Sequence, residues 1–179
     1  MKYTYLAASL PTLVFGAPPP FGVAEFRAKC EGVLSRADLA ALDALLAGAP
    51  APGVGFVAEW QARETQLRNG VVRARAAHLG VEARPYLRDH AGWDMTVAKA
   101  VTDAFAKPNP LDREQELDRC RWRMAEDLAR FEPFGLAAVL AFAVKLGIAE
   151  RWAGLVEDAG VKRVEDFVGA AGAESGTKP

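Results

Sequence analysis

Residues 134–152 read Phe-Gly-Leu-Ala-Ala-Val-Leu-Ala-Phe-Ala-Val-Lys-Leu-Gly-Ile-Ala-Glu-Arg-Trp, and up to Ala149 the only charge among them is Lys145. A helix that is apolar around its whole circumference has to be buried, in a protein core or in a membrane. The run is shorter than the roughly 20 apolar residues of a membrane span, and Lys145 sits near its middle. The pattern therefore predicts the central helix of a soluble domain, wrapped by the amphipathic helices of the same chain. The helix is expected to run past Arg151 and Trp152 to about Ala159 and to stop at Gly160.

The neighbouring segments supply those helices. Residues 111–131 carry Leu117, Cys120, Met124, Leu128 and Phe131 as one apolar stripe, with Trp122, Ala125 and Ala129 on a second face. Five arginines and six acidic residues cover the remainder, the composition of a solvated face. Asn109 followed by Pro110 marks the start of this helix. Asp94 is a credible N-cap for a helix over 95–105 that buries Val97, Val101 and Phe105. Residues 55–79 form the longest candidate, with a stripe of Phe56, Trp60, Leu67, Val71 and Ala74. Glu64 interrupts the apolar face and lies one turn from Arg68, at the spacing of a helical ion pair. Asn69-Gly70 falls mid-helix, where glycine costs about 1 kcal/mol relative to alanine, so a kink or a close helix contact is expected. His78 is read as a C-terminal cap.

Towards the N-terminus, Ser35-Arg36-Ala37-Asp38 is close to a capping box, with Leu34 placed to staple against Leu39. The helix it opens presents Leu39, Leu42, Leu45 and Leu46. A shorter helix over 23–32 buries Phe26 and Cys30. Pro11 and Pro18-Pro19-Pro20 force an extended connector that lies along the domain. Residues 3–9 read equally as a short strand or a helical turn. The organisation expected is all-α and bundle-like: an extended N-terminal segment at 1–20, a single helical domain at 21–168 ending in a helix over 161–168, and a flexible tail at 169–179. Lys2 and the apolar residues behind it resemble a signal peptide, but Pro11, Tyr3, Thr4 and Tyr5 interrupt the pattern, and the segment is expected to be retained.

Composition narrows the function. The 179 residues are 51% hydrophobic and carry 22 basic against 23 acidic side chains. That balance provides no basic footprint for nucleic acid. Cys30 and Cys120 match no metal or redox spacing and read as buried thiols in a reducing cytoplasm. His78 and His90 have no paired ligand. No phosphate-cradling glycine loop and no nucleophile elbow is present in the sequence. No catalytic, cofactor-binding or metal-binding residue is nominated, and no membrane insertion is expected.

The segment Tyr-Thr-Tyr-Leu-Ala-Ala-Ser-Leu-Pro-Thr-Leu at 3–13 resembles the opening of a bacterial family encoded beside subunits of the V-type ATP synthase. Arg-Trp-Arg-Met-Ala-Glu at 121–126, the apolar helix, and Ile-Ala-Glu-Arg-Trp at 148–152 are similar to that family's C-terminal half. Leu-Arg-Asn at 67–69 resembles an element of the same machine's central-stalk socket, the helical piece that joins the rotor shaft to the membrane ring. The resemblance implies a non-catalytic structural or accessory component that docks to V-type ATP synthase subunits, in the cytoplasm or peripheral to the inner membrane face through those partners. Tyr3, Tyr5, Arg68, Asn69, Trp122, Arg151 and Trp152 are then the candidate interface residues, because interface energy concentrates in aromatic and arginine anchors. Two other readings stand beside it: a free-standing adaptor or assembly factor, and a small helical enzyme with a site around Glu64, Arg68 and His90.

Overall fold

The computed structural model describes residues 3–51 and 53–155. They form α1 (Thr4–Ser9), α2 (Val23–Glu31), α3 (Arg36–Ala47), α4 (Gly55–Leu79), a 3-10 turn at Arg84–Tyr86, α5 (Met95–Phe105), α6 (Pro110–Ala129) and α7 (Leu136–Ala153). The fold is all-α, and no strand occurs among the described residues.

The local signals in the sequence explain where these helices begin. Ser35 Oγ accepts the Asp38 amide at 3.3 Å, Asp94 Oδ1 accepts the Thr96 and Val97 amides at 2.8 and 3.3 Å, and Asn109 Oδ1 accepts Leu111 N–H at 2.9 Å. Each satisfies a donor that the first helical turn leaves without a partner. Gly80 closes α4 in the left-handed region, at φ +67°, with its amide on Ala76 O. The cap at this end is thus Gly80 and not His78.

Helix α7 is buried on nearly every side, through Val139, Leu140, Phe142, Leu146 and others, and packs against α1, α2, α3 and α6. Its one mid-helix charge stays at the edge: Lys145 Nζ reaches Glu126 at 3.2 Å and lies 5.2 Å from the Trp122 ring centroid. The helix ends at Ala153 with Gly154 as its cap, earlier than the apolar pattern suggests. The expected helix over 161–168 and the tail at 169–179 lie outside the described residues. Among the described residues, no helix is long and apolar enough to cross a membrane.

The core is divided. One cluster surrounds α7 and includes Phe26, Leu42, Val57, Leu140 and Leu146. A second, of Leu67, Val97, Val101, Leu117 and Met124, joins α4, α5 and α6. Trp60 touches both. A single rod wrapped by every other helix is therefore not what forms: α4 and α5 pack on α6, and only the start of α4 reaches the α7 cluster. Polar residues in the middle of α4 (Glu64, Gln66 and Asn69) account for its divergence from the most apolar helix. At the α4–α5 crossing a Cβ on Gly70 would lie 3.0 Å from Val101 Cγ2, which is the close contact the glycine permits.

Two elements correct the sequence pattern. Residues 4–9 take the helical one of their two readings, so the segment expected to be extended over 1–20 is not extended there: one turn places buried Tyr3 and Leu6 on the same side, against the α7 cluster. Phe131 is 91% exposed, because α6 stops at Ala129 and the stripe does not reach it. The connector from Leu10 to Phe21 does lie along the domain, with Leu10, Leu13, Phe15 and Phe21 packed inward.

Candidate functional site

Because α4 and α7 diverge over α6, they leave an open groove of about 910 Å³ between them. Its floor is α6, through Asp118 and Arg121. Its walls are the middle of α4 and the second half of α7, and the end of α3 and the connection bearing Tyr86 and Arg88 close its ends.

An alternating ladder of charges holds this floor. Asp118 is fully buried. Arg121 Nη1 donates to its Oδ1 at 2.9 Å, Trp152 Nε1 donates to its Oδ2 at 2.8 Å, and Arg151 Nη2 pairs with the same oxygen. Arg121 also grips Glu64 with two bonds, Nε to Oε2 at 2.9 Å and Nη2 to Oε1 at 3.1 Å. Arg68 Nε completes the series on Glu64 Oε1 at 2.8 Å. The helical pair Glu64–Arg68 is thus present as its spacing predicts, and it belongs to a larger network that crosses from α4 through α6 to α7. A buried carboxylate such as Asp118 is tolerable when it is paired and hydrogen-bonded, and the partly exposed Glu64 is held in the same way.

A second device fixes the connection that follows α4, and one half of it reaches the groove. Gln66 and Asn69, one turn apart on α4 and both buried, each hold a single residue of the following connection by its backbone. Gln66 Nε2 donates to Asp94 O at 2.7 Å, and its Oε1 accepts Asp94 N–H at 2.8 Å. Asn69 Nδ2 donates to Arg88 O at 2.7 Å, and its Oδ1 accepts Arg88 N–H at 3.0 Å. A primary amide can do this because it carries a donor and an acceptor side by side, like a peptide group. The clamp leaves the Arg88 side chain exposed on the groove.

The seven candidate interface residues divide accordingly. Arg68, Asn69, Arg151 and Trp152 converge on the groove and its ladder. Asn69 is inside the structure, so it positions Arg88 and is not itself an exposed anchor. Trp122 is buried: its Nε1 donates to Glu126 at 3.0 Å, and Phe15 meets it edge-on at 5.6 Å while lying 6.4 Å from Trp152. Tyr3 is buried as well, its hydroxyl donating to Asp38 and accepting Ser35 N–H at 3.0 Å. Tyr5, on the opposite side of the same short helix, is 88% exposed. Burial removes Tyr3 and Trp122 from the set of surface anchors.

His90 does not line the groove with Glu64 and Arg68; it stacks on Trp93 at 6.5 Å. The three-residue site considered for an enzyme is not assembled. Among the described residues no group of three His, Cys, Asp or Glu side chains could hold a metal ion. Both thiols are buried, and burial pushes each up to about 11, which keeps them protonated and unreactive at neutral pH.

Asp118, Arg121 and Gln66 were not singled out by sequence pattern. For Asp118 a signal existed. Residues 118, 122, 125 and 129 share one face of α6, so extending the Trp122 face back one turn reaches a carboxylate where an apolar residue belongs.

A family model described as "Protein of unknown function (DUF2764)" matches residues 94–175. The match covers less than half of the chain. It begins at the N-cap of α5 and takes in α6 and α7, so it includes the groove's floor and one wall but not α4. No curated protein matches the chain, and no solved structure does.

Proposed function

We propose that the chain is a non-catalytic helical component or accessory of a V-type ATP synthase, related to its central-stalk socket, acting in the cytoplasm by docking to other subunits. Two features support this reading: the resemblance carried by 3–13, 121–126 and 148–152, and the chemistry of the α4–α7 groove. The groove carries the docking part of the argument. It is open, its two carboxylates are occupied by guanidiniums, and arginine heads stand at its rim. Carboxylates whose oxygens are already spent on arginine are poorly placed to take a proton from a substrate, whereas arginine-rimmed grooves suit recognition.

The experiment is affinity purification of the tagged full-length protein from its native host in mild detergent. The expected result is recovery of V-type ATP synthase subunits. A fixed ratio to those subunits identifies a resident component, and a substoichiometric ratio identifies an assembly accessory. Recovery of the protein with none of them refutes the proposal.

A further inference from the structure

We infer that the α4–α7 groove is a receptor for an acidic amphipathic helix of a partner protein. The inference rests on the docking reading above and specifies the surface and the chemistry of its ligand. Charge is the first argument. Four arginines line the groove (Arg68, Arg88, Arg121 and Arg151) against two carboxylates, Glu64 and Asp118. The carboxylates are already neutralised from within, Glu64 by Arg121 and Arg68, Asp118 by Arg121 and Arg151. Among the described residues Arg88 pairs with no carboxylate, while the Arg68 side chain is 67% exposed and that of Arg151 49%. The surplus is positive and faces outward.

Shape and polarity are the second argument. Between the arginines Leu46, Trp60, Val72, Val144 and Ile148 give the lining an apolar part, with Gln61 and Thr65 beside them. An occupant must therefore be apolar along one face and acidic at its flanks. A helix with side chains is about 10 Å across, so 910 Å³ accommodates about two turns. Docking of one helix into a groove between two others is a recurrent recognition mode read at i, i+3/i+4 and i+7 spacing. The walls do not need to form on binding. The ladder ties α4, α6 and α7 together, and the Asn69 clamp presents Arg88, so little ordering is required of the receptor.

The test uses the full-length protein and a fluorescein-labelled amphipathic helical peptide of about 14 residues, leucine on one face and glutamate on the other, with a lysine version as control. Anisotropy is expected to show the acidic peptide binding at least tenfold more tightly than the basic one, with affinity falling as salt rises. The double variant Arg68→Glu/Arg88→Glu should lose at least tenfold for the acidic peptide and gain for the basic one. The milder Arg68→Gln/Arg88→Gln guards against misfolding and should lose part of the affinity. Equal binding of both peptides, or acidic-peptide binding untouched by either double variant, overturns the inference. So does complete displacement of the peptide by millimolar inorganic phosphate, which would assign the arginines to a small anion, or an Arg68- and Arg88-dependent self-association, which would place a second copy in the groove. The two proposals fail separately. Copurification with ATP synthase subunits that survives Arg68→Glu/Arg88→Glu leaves the function standing and the groove refuted. Arginine-dependent peptide binding without copurification does the reverse.

Discussion

Replacing Asp118 with asparagine tests whether the ladder under the groove holds the three helices together. The change preserves shape and removes one buried charge. Three groups face that carboxylate, Arg121, Arg151 and the Trp152 indole. Hydrogen bonds to a charged partner contribute about 1.5–3 kcal/mol and neutral ones about 0.5–1.5, so the bonds that the single amide oxygen keeps weaken by about 1 kcal/mol each. The amide NH2 meets a donor, and at least one bond, that of Arg121 if the oxygen stays toward Trp152 and Arg151, is lost outright. Two corrections lower the total. Arg151 is half-exposed, and its share falls toward the small value of a surface pair. Arg121 keeps both bonds to Glu64 and is not left unpaired. The expected loss is about 3–4 kcal/mol, or roughly 6–16 °C in Tm for a chain of this length. Urea unfolding followed by circular dichroism measures it, with an unchanged m-value showing that the loss is one of stability. A cycle with Arg151→Met isolates the pair, and a coupling of about 1 kcal/mol is expected. If Asp118→Asn unfolds within about 0.5 kcal/mol of the parent protein, the ladder is not structural and the rigid receptor argued above has no support.

Three further outcomes follow from the same geometry. Gly70→Ala should fail to deliver the roughly 1 kcal/mol that alanine normally adds to a helix, because its Cβ crowds Val101; in a Val101→Ala background the gain should return, measured by the difference between the two denaturation curves. Leu140→Ala, at a fully buried position in the α7 cluster, should cost about 2–5 kcal/mol, whereas Phe131→Ala, on an exposed ring, should change stability by less than about 0.5 kcal/mol. Cys30 and Cys120 should resist Ellman's reagent at pH 8 in the folded protein and react fully in denaturant. Their folded pKa values lie above the unfolded value near 9, so the folded state binds more protons in that window; stability is intact below pH 9 and should fall as pH rises towards 11, with a shallower slope in Cys30→Ala/Cys120→Ala.

Much of the architecture was legible because it depends on local chemistry. Helices α4 and α5 begin and end where caps, prolines and apolar spacing place them, and Ser35, Asp94 and Asn109 cap as their positions imply. The Glu64–Arg68 pair was legible for the same reason, since four residues on a helix is a fixed distance. What escaped depends on partners far apart in the chain. Nothing near Glu64 indicates that Arg121, 57 residues later, is its second partner. Gln66 read as an ordinary polar position and Asn69 as an interface anchor until the connection at 88–94 folds back onto them. Tyr3 read as an exposed anchor because a one-turn helix gives no periodic signal, and its burial depends on Asp38 and Ser35 of another helix. The divided core was hidden by the apolar composition of α7, which suggests a centre without specifying which helices reach it.

Asn69 stands directly before Gly70, the pairing in which an asparagine most readily cyclises on the following amide and deamidates. Here helical geometry keeps the Gly70 nitrogen from the side-chain carbonyl, and both ends of the carboxamide are committed to Arg88. Folded molecules are therefore shielded from this ageing reaction, while any that open become vulnerable at one defined bond. The fraction carrying aspartate or isoaspartate at position 69 would then serve as a slow chemical record of how long each preparation has spent unfolded.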